Sequence, residues 1–128
     1  MPGDFIVRLE QTGGMVPAYL LIYISRDSSM TERRKGAYQD KTVFRCSEDE
    51  LQALYGMGKK YHFYSMSSEN HGQVYDRGGT VIEMGSAKNP YRVSDSGSDF
   101  LKEPYKKNFR ALTEEILSFV ENKTSTSH

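Results

Sequence analysis

The stretch Phe5-Ile-Val-Arg-Leu-Glu-Gln-Thr-Gly-Gly-Met-Val-Pro-Ala-Tyr-Leu-Leu-Ile-Tyr-Ile24 decides the fold class. Phe5, Val7 and Leu9 alternate with Ile6, Arg8 and Glu10, the period of two that marks a half-buried strand. Tyr19 to Ile24 is apolar on both faces and suits a central strand. Gly13-Gly14 between them supplies the conformational freedom that a hairpin turn needs. Met15, Val16 and Pro17 follow the glycine pair at once, and apolar side chains beside an exposed turn have a cost in water. Either they fold back over the sheet edge and cap the core, or another molecule takes them.

Working outward, residues 26–40 are polar and charged and read as a long mobile loop, after which 41–45 return to strand character. Ser47-Glu-Asp-Glu50 is a capping box, with a hydroxyl for the third backbone N–H and a carboxylate reaching back. Its acids also suit the positive end of a helix. Leu51, Leu54 and Tyr55 form the apolar stripe of a short helix that Gly56 and Gly58 weaken or stop. Residues 65–72 and 94–99 read as loops, and 74–75, 80–84 and 91–93 as strands. Pro104 fits the first turn of a closing helix, where Phe109, Leu112, Ile116, Phe119 and Val120 recur at helical spacing. The expected fold is α+β: a mostly antiparallel sheet of about six strands with two helices, in the order βββαβββα. Residues 1–128 form a single domain, with 1–4 and 122–128 frayed at the ends.

Composition narrows function mainly by exclusion. Seventeen basic residues balance seventeen acidic ones, so no global field attracts nucleic acid or an anionic membrane. The clusters Arg33-Arg34-Lys35, Lys59-Lys60 and Lys106-Lys107 have acids nearby and read as solvated faces, with a phosphate patch as the minority reading. Cys46 is the only cysteine, so no intrachain disulfide forms, and it reads as a small packed hydrophobe. No stretch approaches the ~18 apolar residues that span a bilayer. No signal peptide is visible, which makes the cytoplasm the expected location, although a removed signal would leave the same sequence.

Candidate chemistry is sparse. His62, His71 and His128 lie at no zinc-type spacing, and no cofactor or metal is expected. His62 reads as partly buried and structural, His71 as an exposed loop residue. A serine (Ser94, Ser96 or Ser98), an aspartate (Asp76, Asp95 or Asp99) and a histidine can always be grouped on paper, but only geometry makes a triad. Glu114-Glu115 read as solvated. Nine tyrosines and no tryptophan hint at an amphipathic contact face drawn from Tyr19, Tyr23, Tyr61, Tyr64, Tyr75, Tyr91 and Tyr105. No catalytic residue is assigned.

The opening hairpin Val7-Arg-Leu-Glu-Gln-Thr-Gly-Gly-Met-Val16 resembles that of the emfourin family, small bacterial inhibitors of protealysin-like, thermolysin-type metalloproteases. The order of elements is similar along most of the chain, whereas residue-level similarity covers only about the first sixteen positions. Residues 26–40 and 56–72 are longer than that pattern. The resemblance implies a protein partner, a thermolysin-type metalloprotease, gripped by Thr12, Gly13, Gly14, Met15, Val16 and Pro17. A preorganised apolar tip suits such a cleft because it loses little entropy on docking. The alternative is a small-ligand-binding or enzymatic domain with a tyrosine-rich pocket containing His62.

Overall fold

The computed structural model describes residues 1–13, 18–70, 79–95, 99–101 and 103–125. The chain begins with a four-stranded meander: β1 (Phe5–Thr12), β2 (Ala18–Ile24), β3 (Ser29–Lys35) and β4 (Tyr38–Phe44). Helix α1 (Glu48–Lys60) and a short 3-10 helix (Phe63–Ser65) follow. Next come β5 (Ser68–Asn70), β6 (Gly79–Ser86), β7 (Tyr91–Asp95), β8 (Asp99–Leu101) and helix α2 (Glu103–Ser125). Six strands form one antiparallel sheet in the order β4-β3-β2-β1-β6-β7, while β5 and β8 pair separately. The fold is α+β, as the hydrophobic patterning implied.

The period of two in β1 is what sorts the faces. Phe5, Val7 and Leu9 are fully buried, and their neighbours Ile22, Ile24, Ile82, Met84 and Val93 continue that face across the sheet. Leu51 and Leu54 of α1 and Phe109, Leu112, Ile116 and Val120 of α2 join the same cluster, so both helices cover one face. Each such side chain contributes about 1.5–3 kcal/mol by leaving water. The two helices are also tied together. Tyr61 donates its hydroxyl to Glu115 at 2.8 Å, Asn108 donates to the Tyr61 carbonyl at 3.3 Å, and Lys123 pairs with Glu50 at 3.1 Å.

The other face of the sheet carries a polar network through five strands. Arg8 on β1 reaches Glu83 on β6 and Glu10 beside it, both at 3.2 Å, and Tyr19 on β2 donates to Glu10 at 3.0 Å. Arg34 on β3 lies over the Tyr19 ring at 5.1 Å and pairs with Glu32, which also accepts from Gln39 on β4 at 2.9 Å. The Arg34 and Gln39 hydrogen bonds hold the Glu32 carboxyl below its ordinary range.

Several expectations change. Residues 26–40 are not a loop: they supply β3 and the start of β4. Charged residues in β3 alternate between the two faces of a sheet margin, where solvent remains within reach, so polarity did not signal a loop. Lys35 pairs with Tyr38 across the two-residue turn Gly36-Ala37, and Gly36 takes φ +60°. That angle at the first turn residue is the glycine-dependent step of a tight hairpin. Helix α1 passes through both glycines. Gly58 is buried, and a Cβ there would stand 3.2 Å from the Met84 Cε, so close approach to the sheet accounts for it. Part of 65–72 is strand β5, and part of 94–99 lies in β7 and β8. The strand expected at 74–75 lies outside the described residues.

Arg26 donates to the Gly3 carbonyl at 3.0 Å, Ser86 donates to Asp4 at 2.7 Å, and α2 runs on through Ser125. The capping box appears as read: Ser47 accepts from the Glu50 N–H at 3.2 Å, and Glu50 accepts from the Ser47 N–H at 2.8 Å. Arg26 also pairs with Glu48 in the first turn of α1.

Candidate functional site

Five strand ends meet on one margin of the sheet. Thr12 faces Tyr19 and Gly79, Tyr19 faces Arg34, and Arg34 faces Gln39, so the β1–β2 connection and the β3–β4 turn lie at the same end. A cavity of about 690 Å³ opens there. Leu20 and Leu117 give it an apolar wall, Tyr38 stands beside it 62% exposed, and Arg33, Arg34 and Lys35 bring positive charge against Glu121. Tyr19 lines it too. Burial, then its hydrogen bond to Glu10, pushes that phenol above its ordinary range, so it stays a neutral donor.

Thr12 and Gly13 are both exposed and both line this cavity. The other expected contact residues, Gly14, Met15, Val16 and Pro17, lie outside the described residues. Among the described residues, the lining contains no histidine or cysteine. What it offers is shape, an apolar wall and a basic rim, the ingredients of recognition.

The remaining candidates do not converge. His62 is exposed rather than partly buried, and it takes φ 57° in the step from α1 into the 3-10 helix. His71, His128, Asp76, Ser96 and Ser98 lie outside the described residues. Ser94 is buried on β7, Asp99 opens β8, and Asp95 accepts from the Leu101 N–H at 3.4 Å; neither Ser94 nor Asp95 is hydrogen-bonded to His62. Among the described residues, no three His, Cys, Asp or Glu side chains are grouped as a metal would need. Glu115 is not free in solvent, since it accepts the Tyr61 hydroxyl; Glu114 is exposed. Cys46 is half-buried against the core, and burial pushes its thiol up.

The tyrosines separate into local groups instead of forming one face. Tyr55, Tyr64 and Tyr91 line a cavity of about 420 Å³ at Gly85, far along β6 from Thr80, and His62 is not among its lining residues. Tyr64 and Tyr91 meet edge to face at 5.8 Å, and the Tyr91 hydroxyl donates to the Met66 carbonyl. Tyr19 serves the polar network and Tyr61 the helix pair, while Tyr75 lies outside the described residues.

Sequence reasoning missed Arg33, Lys35 and Tyr38 as site residues because their segment read as a mobile loop. The two-residue turn at Gly36 was the available signal. No family model matches this chain, and no curated protein matches it. Among the described residues no helix is long and apolar enough to cross a membrane.

Proposed function

We propose that this chain is a protein-interaction domain that engages its partner through the end of the sheet where residues 12–17 join β1 to β2. One observation carries the reading: Thr12 and Gly13 stand exposed on the rim of a large cavity with an apolar wall. The finer reading, supported by the resemblance of the opening hairpin, makes the partner a thermolysin-type metalloprotease and the chain its inhibitor. Met15 and Val16 then supply the apolar anchor, and the six-stranded sheet holds both ends of the connection in fixed register. The basic rim at Arg33, Arg34 and Lys35 suits a partner with acidic groups around its cleft.

Peptide hydrolysis by a thermolysin-type protease, titrated with this protein, tests the reading. Inhibition by the wild type and its loss in Met15→Asp at an unchanged melting temperature are expected. No inhibition at micromolar wild-type protein removes the protease reading, and unfolding of Met15→Asp assigns Met15 to the core.

A further inference from the structure

A second cavity, about 390 Å³, lies between the helix-facing side of β3–β4 and the last turns of α2. Its buried lining residues are Thr31 and Val120, and its rim carries Arg33, Asp40 and Glu121. Two features set it apart. Thr31 is only 9% exposed, and its hydroxyl oxygen is the buried side-chain atom that has no hydrogen-bond partner among the described residues. A buried hydroxyl left unpaired has a cost, so such an atom marks a place where something polar belongs. Further, Arg33 and Asp40 face each other directly across β3 and β4, yet they form no ion pair with each other or with any other described residue. Cross-strand opposite charges ordinarily gain by meeting. Here each keeps its head group available at the mouth of the same cavity.

We propose that this cavity binds a small zwitterion of the α-amino-acid class. The carboxylate lies against the Arg33 guanidinium, whose planar fork takes two carboxylate oxygens at once. The ammonium lies between Asp40 and Glu121, and the Thr31 hydroxyl gains the partner it lacks. A simple anion leaves Asp40 and Glu121 opposing it, and a simple cation leaves Arg33 opposing it. Only a ligand carrying both charges answers all three. The volume is in the range of small-molecule sites and exceeds that of a single amino acid. The site shares Arg33, Tyr38 and Glu121 with the larger cavity, whereas Thr31 and Asp40 line this one alone.

Amide NMR spectra of the whole protein, recorded with each proteinogenic amino acid in turn at millimolar concentration, test the proposal. Expected are saturable shifts at Thr31, Arg33, Asp40 and Thr42 with at least one free amino acid. Its N-acetyl and methyl-ester forms, each lacking one charge, should give none at the same concentration. Arg33→Gln and Asp40→Asn should each weaken binding about tenfold or more, the usual scale for losing one charged hydrogen bond. Both residues are exposed, so the melting temperature of each variant serves as the folding control. Absence of shifts with every free amino acid overturns the proposal. So does equal binding of the blocked forms, or of Arg33→Gln.

Discussion

Replacing glycine by alanine should move stability in opposite directions at Gly36 and Gly56. The difference follows from backbone angle alone, because a Cβ added at either position meets nothing within 4 Å. At Gly36, φ is +60°, a conformation that costs an L-residue about 1–2 kcal/mol. The narrower unfolded ensemble of alanine returns about 0.4–1 kcal/mol of that. A net loss of about 0.8 kcal/mol remains at the centre of these ranges. Gly56 sits exposed inside α1 with ordinary helical angles, and alanine there gains about 0.8–1 kcal/mol of helix propensity. An unfolding entropy of about 2.1 cal/mol/K per residue makes 1 kcal/mol worth roughly 4 °C in a chain of 128 residues. Gly36→Ala should therefore melt about 3 °C below the wild type and Gly56→Ala about 3–4 °C above it. Urea unfolding should show the same order with an unchanged slope. Two variants shifting in the same direction would refute the assignment of 29–44 as a hairpin closed at Gly36, or of α1 as a helix continuous through Gly56.

Other consequences are as direct. Ser47→Ala should cost about 1 kcal/mol in urea unfolding by removing the cap of α1. The Ser47 backbone hydrogen bond, then Lys123, holds the Glu50 carboxyl below its ordinary value, so its stabilisation is complete above the usual glutamate range. It is lost as pH falls through the lowered value, and Glu50→Gln should flatten that acid limb of a stability-versus-pH curve. Leu112→Ala should cost about 2–5 kcal/mol, because Leu112 is fully buried between α2 and the sheet. Burial raises the Cys46 thiol, so alkylation by iodoacetamide near neutral pH should be slower in the folded protein than in urea. An equal rate in both would show that Cys46 is open to solvent.

How much of this was readable in advance depended on which physical signal dominated each segment. The strands around Val7 and Ile22 and the stripe from Phe109 to Val120 announced themselves, because one strong apolar period fixed each. The start of α1 was equally plain, since a capping box is a local device. β3 was hidden: Glu32, Arg33 and Arg34 are charged, and their strand identity comes from pairing with β2 and β4, which are distant interactions no local propensity encodes. The passage of α1 through Gly58 depended likewise on Met84, which is distant in sequence. Thr12 and Gly13 were recognised as candidates, whereas the cavity beside them was not. It is assembled from β2, β3 and α2, and only the finished sheet brings Leu20, Arg34 and Leu117 together.

Hydrogen–deuterium exchange of this protein, alone and with a thermolysin-type metalloprotease in excess, would locate the partner surface directly. The protease reading predicts slowed exchange confined to residues 11–20 and 33–38, the strands and turn around the larger cavity. Protection centred instead on Tyr64, Gly85 and Tyr91 at the opposite end of β6, or no protection anywhere, would contradict it.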